Sequence, residues 1–184
     1  MIELSVIRDL VAIFGVIAGF SYYVLTVRNA QKERQMGMLM QLYQTKHSPE
    51  GIYRMWRIML LMWDDFDDYL EKWGPYAHPE VTEELKLITS SWSFYDGLGK
   101  ILKEGMVDLD TVYEMLGLRI LMVWFKYETI IKSLRNFEEG NPGSDYLSNF
   151  EYLANVMIKV RKMRGQSLPL SWLHHTSTLR QELA

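Results

Sequence analysis

LVAIFGVIAGFSYYVLTV, residues 10–27, carries no charged side chain and runs directly into Arg28. As a helix rising ~1.5 Å per residue, a stretch of this length reaches about 27 Å, close to the ~30 Å hydrocarbon core of a bilayer. Ser21 and Thr26 have hydroxyls that bond back to the preceding helical turn, and Tyr22 and Tyr23 fall where amphipathic rings favour the membrane interface. A cleaved signal peptide fits less well. It needs a basic start, whereas Glu3, Arg8 and Asp9 nearly balance, and the apolar run continues past the weak cleavage position at Ala18-Gly19. A buried core helix is the other competitor, and the length of the run favours a span over it.

Orientation follows from the flanks. Arg28, Lys32, Arg34 and Lys46 lie on the C-terminal side against Arg8 on the other, so the positive-inside rule expects a single-pass protein of the cell (inner) membrane with its C-terminal domain in the cytoplasm. Residues 28–47 keep helical composition, with Met36, Leu39, Met40 and Tyr43 at steps of three and four, and are expected to continue the anchor as one long helix.

The rest of the 184-residue chain suffices for one domain with a core. Its 48% apolar and 13% aromatic content excludes a disordered polymer, and the absence of cysteine excludes disulfides, thiolate chemistry and cysteine-based metal sites. Net charge is −3, distributed as −1 over residues 1–27, +3 over 28–47, −7 over 48–140 and +2 over 141–184. An acidic central segment argues against nucleic acid as a partner, since phosphate binding needs a positive face.

Helix punctuation then divides the domain. Ser48-Pro49-Glu50 starts a helix that is expected to run to Gly74-Pro75. His78-Pro79-Glu80 opens a second, with Val81, Leu85, Ile88, Trp92, Tyr95 and Leu102 as its stripe up to Gly105. Asp108 caps a third, carrying Val112, Leu116, Ile120, Trp124, Tyr127, Ile131 and Leu134 to the break at Gly140-Asn141-Pro142-Gly143, with Gly117 a candidate divider. A last helix over about 145–164 places Tyr146, Phe150, Leu153, Met157 and Val160 on one face and ends in Lys159, Arg161, Lys162 and Arg164. Nothing alternates with period two. The expected fold is all-α: one N-terminal transmembrane helix (1–27), a basic juxtamembrane helix (28–47), a bundle of about four helices (48–164) and a C-terminal tail (165–184).

Asp64, Asp65, Asp67 and Asp68 form a D-D-x-x-D pattern that invites a magnesium and diphosphate reading. On one continuous helix, however, Ile52, Trp56, Met59, Trp63, Phe66, Leu70 and Trp73 define a buried seam, and every aspartate falls off it. The expectation is a solvated acidic ridge, open to a basic partner, with Asp64, Asp65 and Asp68 as the metal candidates if a cavity lies beneath. His174 and His175 point ~100° apart on a helix and His47 and His78 are remote, so a histidine metal site is not expected. Asp96-Gly97-Leu98-Gly99-Lys100 lacks the spacing of a phosphate loop, and small residues at a helix crossing explain it better. Twelve methionines, Met36, Met38, Met40, Met55, Met59 and Met62 among them, read as core filler before they read as a docking surface.

LGKILKEGMVDLDTVYEMLG at 98–117, WFKYETIIKSLR at 124–135 and FEYLA at 150–154, behind an N-terminal span and a basic helix, together resemble a domain-of-unknown-function family of small single-span bacterial and archaeal membrane proteins. The resemblance implies membrane anchoring and a helical cytoplasmic domain, and brings no catalytic residue. The function expected is a membrane-tethered interaction module, that is a scaffold, accessory subunit or regulator, with no cofactor and no catalysis of its own. Its partners would be the bilayer, through residues 10–27, and a protein or a second copy. The alternative is a membrane-anchored sensor or effector of a stress or defence system, binding a small anion through Arg119, Lys126 and Arg135. A magnesium-dependent lipid or diphosphate enzyme ranks third.

Overall fold

A computed structural model describes residues 4–74, 82–137 and 142–168. Every regular element among them is helical: α1 Leu4–His47, α2 Pro49–Leu60, α3 Phe66–Trp73, α4 Glu83–Lys103, α5 Leu109–Arg135 and α6 Ser148–Met163. The chain divides into two units, Met1–Gln41 and Leu42–Ala184, so the last turn of α1 belongs to the second.

In the first unit α1 continues through the expected anchor without a break. It is long and apolar enough to cross a membrane, and Phe14, Phe20 and Tyr22 stand exposed along it. Thr26 Oγ1 donates to the Tyr22 carbonyl at 2.9 Å, which satisfies the hydroxyl within the helix itself.

The second unit is built on α4, α5 and α6, with α2 against α4 and α3 against α5. The starts are written in the sequence. Ser48, Asp65, Thr82 and Asp108 each accept a hydrogen bond from the backbone N–H three residues on, which answers one of the orphan donors of a first turn. Two of the ends are equally local. Gly105 (φ 69°) and Gly165 (φ 66°) adopt the left-handed conformation after α4 and α6. At each end the N–H groups of the glycine and of the next residue return to carbonyls of the last turn, a Schellman arrangement that a side chain at positive φ would strain.

α5 is the central element. Residues 120–127 are buried without interruption, so the helix is enclosed on all sides rather than along the single expected stripe. Gly117 does not divide it; there a Cβ would meet the Tyr113 ring at 3.0 Å. Phe150 of α6 stacks on Tyr95 of α4 at 5.1 Å and meets Trp124 of α5 edge-on at 5.1 Å, and Trp92 meets Tyr127 at 5.4 Å. Such pairs contribute about 0.5–1.5 kcal/mol each beyond their buried area.

The single helix expected over 49–73 is two. The chain leaves α2 at Leu61, turns through 61–65 and restarts at Phe66. The seam from Ile52 to Trp73 is therefore not continuous: Trp63 is buried, but Ile52 and Trp56 are exposed. Among the described residues five helices follow α1, where about four were expected. The expected start at 78–80 and most of the expected tail lie outside the described residues.

Candidate functional site

The aspartates are at the break, and the break explains them. Asp65 is the N-cap of α3, accepting from the Asp68 N–H at 2.9 Å, while the Asp68 carboxylate accepts from the Asp64 N–H at 2.9 Å and from Lys72 Nζ at 2.7 Å. This is the logic of a capping box, with side chain and backbone reciprocally satisfied across one turn. Bonds from Lys72 and then from the Asp64 amide hold the Asp68 carboxyl below its ordinary pKa. Asp64 and Asp67 are exposed. Among the described residues no three His, Asp or Glu side chains gather as a metal would require.

Arg119, Lys126 and Arg135 do not converge either, because each reaches a different carbonyl. Arg119 donates to the Lys46 carbonyl at the end of α1, and Lys126 Nζ to the Leu61 carbonyl at 2.7 Å. Arg135 donates to the Tyr146 carbonyl at 2.8 Å and pairs with Glu151 at 2.6 Å. Tyr127 adds a hydroxyl to the Ile58 carbonyl at 2.7 Å. Lys126 and Tyr127 of α5 thus satisfy carbonyls at the end of α2, which is why α2 stops there without a glycine. Lys126 is only 9% exposed and lies 4.3 Å from the Trp63 ring centre, and burial brings its pKa down to about 8.

Asp96 is the residue that sequence spacing misses. From the middle of α4 it accepts from the N–H groups of Asn149 and Phe150, both at 3.0 Å, and from the Asn149 amide at 3.2 Å. α6 has no side-chain cap of its own, since Leu147 precedes it at φ 56°, so Asp96 caps it from the neighbouring helix. Gly99 makes this approach possible: a Cβ there would lie 2.0 Å from the Asn149 carbonyl oxygen. The 96–100 segment is a helix crossing, as its small residues suggested. His47 stacks on Tyr43 at 3.8 Å, and His78, His174 and His175 lie outside the described residues.

One outward face of α2 is apolar. Ile52, Tyr53, Trp56 and Leu60 lie within one ~100° sector of α2, and Tyr53 is 60% and Leu60 71% exposed. Met62, just beyond the helix end, is also exposed. The methionine expectation holds only in part: Met122 and Met157 are buried in the core, but Met36, Met38, Met40 and Met62 are exposed and Met55 and Met59 half-buried. In the first unit Gly15 and Gly19 form a G-x-x-x-G pair within the apolar run, and a Cβ at either would meet nothing within 4 Å. In membrane helices that spacing lets a second helix approach closely.

A family model described as a domain of unknown function, DUF4760, matches residues 9–157, from the first turns of α1 into the second half of α6. No curated protein and no solved structure matches the chain.

Proposed function

The chain belongs to the DUF4760 family, and from that premise we propose that it is a single-pass interaction module, anchored by α1 with its helical unit in the cytoplasm, that self-associates. The observation that carries this reading is the apolar face of α2. Folding has left Tyr53 and Leu60 in water on a unit that buries larger rings elsewhere, and exposed contiguous apolar surface marks interaction sites. Gly15 and Gly19 favour a second copy as the occupant, because they supply a close-approach face on the anchor as well. The basic residues Arg28, Lys32 and Arg34 that follow the apolar run support the cytoplasmic orientation. Asp64 and Asp67 remain on the surface for a basic partner segment, whereas Asp65 and Asp68 are engaged in the cap.

The cysteine-free sequence makes the test clean. Single-cysteine variants Tyr53→Cys and Leu60→Cys, expressed in membranes and treated with a short bifunctional maleimide, are expected to give a crosslinked dimer. A variant with cysteine at exposed Glu104 serves as control, and Gly15→Leu with Gly19→Leu should reduce the yield. A monomer at all positions, together with a single-chain mass in detergent, overturns the reading.

A further inference from the structure

The end of α1 meets the start of α2 in a tight corner. Ser48 Oγ donates to the Thr45 carbonyl at 2.9 Å and accepts from the Gly51 N–H at 3.0 Å. Gly51 is required there, since a Cβ would lie 2.4 Å from the Thr45 carbonyl oxygen and 2.7 Å from that of Lys46. Arg119 of α5 closes the corner by donating to the Lys46 carbonyl. Between these elements and α4 lies a cavity of about 180 Å³, bordered by Lys46, Arg54, Arg119 and the hydroxyl-bearing Ser48, Ser90 and Ser91.

Cations around this cavity outnumber carboxylates. Among the described residues that line it, Glu50 is the one carboxylate, and it is paired with Arg54, which is itself more than half exposed. Neither Lys46 nor Arg119 forms an ion pair among the described residues; the Lys46 ammonium sits instead 3.9 Å from the centre of the Phe94 ring. Burial first, and then the like charges of Arg54 and Arg119, work against the Lys46 ammonium. An anion drawn into the cavity relieves both repulsions and takes charge-assisted hydrogen bonds from the Lys46 ammonium and the Arg54 and Arg119 guanidinium groups. The volume falls below the ~300–1,000 Å³ of ordinary small-molecule sites, which selects a small group over a whole cofactor.

We propose that the cavity bordered by Lys46, Arg54 and Arg119 binds a phosphate group, either free or as the phosphomonoester headgroup of a lipid. The site is independent of the apolar face of α2 and of self-association.

The test uses the full-length chain in a neutral detergent, with thermal unfolding followed against three additives: inorganic phosphate, soluble short-chain phosphatidic acid and short-chain phosphatidylcholine, each against chloride at equal ionic strength. A bound ligand raises the unfolding midpoint as its concentration exceeds Kd. Stabilisation by inorganic phosphate assigns the site to free phosphate, and stabilisation by phosphatidic acid alone assigns it to the lipid headgroup. In either case Arg54→Gln, at a position that keeps the fold, and Lys46→Met should each weaken binding about tenfold, the order of one charge-assisted hydrogen bond. Equal midpoints in phosphate, phosphatidic acid, phosphatidylcholine and chloride overturn the proposal, as does an Arg54→Gln variant that binds as tightly as the parent.

Discussion

The acidic turn at 64–68 and the cationic row of α5 make an instructive pair. Both concentrate charge of one sign within a few helical turns, and both invite a ligand. In the folded chain both mainly serve backbone groups. The aspartates act locally: Asp65 and Asp68 answer N–H groups of their own turn, as anions do at a helix N-terminus. The α5 cations act at a distance, answering carbonyls at the ends of α1 and α2 and in the turn before α6. Local capping has a sequence spacing. Distant capping has none, because the partner is fixed only by which helix lies alongside.

Asp96 breaks the simple form of that contrast, being an acid that caps at a distance, and it carries the largest expected effect. Asp96→Ala leaves the first N–H groups of α6 without their acceptor and should cost about 3 kcal/mol, read as a lower denaturant midpoint for the full chain in detergent. Asp96→Asn, which keeps one acceptor, should lose less. An Asp96→Ala midpoint equal to the parent's would show that α6 needs no cap from α4.

Lys126 sharpens the cationic side through pH. Its ammonium titrates near pH 8 in the folded chain against 10.5 when unfolded. Between those values the unfolded chain holds the extra proton, so this residue makes stability rise as pH increases from about 8 toward 10.5. Lys126→Met loses the Leu61 bond but also the burial penalty on the ammonium, so the two oppose one another near neutrality, and the variant should lack that part of the rise. Parallel pH profiles for parent and variant would contradict a buried, charged Lys126.

The most local effect belongs to the acidic turn. Asp65→Ala should lower stability by about 1 kcal/mol, the usual size of an N-cap. Asp65→Ser should recover most of it, because a hydroxyl caps as well as a carboxylate. Added magnesium should change neither midpoint, and a magnesium-dependent stabilisation lost in Asp65→Ala would restore the cation reading of the turn.

Much of this was legible in advance. The uncharged run at 10–27 and its continuation to His47 predicted α1, and Ser48, Asp108 and Gly105 predicted boundaries where the structure has them. The stripes of α4, α5 and α6 named core residues, among them Ile88, Trp92, Trp124, Tyr127 and Phe150. The expectation failed at 61–65, where the apolar periodicity of 52–73 runs straight through a real break. The restart has a local signal in Asp65, which caps α3, but the end of α2 has none; its carbonyls are held by Lys126 and Tyr127, more than sixty residues away. The basic trio of α5 failed for the same reason, and Arg119 found Lys46 and Arg54 at its cavity instead of Lys126 and Arg135.

Sequence alone determined the helical class, the long apolar N-terminal helix and most helix starts, since hydrophobic period, the length of an uncharged run and capping chemistry are all properties of neighbouring residues. The tertiary structure decided where α2 ends, what Asp96 holds, which face of α2 remains apolar and exposed, and which three cations share a cavity. Those outcomes depend on contacts between residues far apart in the chain, and the chain's own spacing does not encode them.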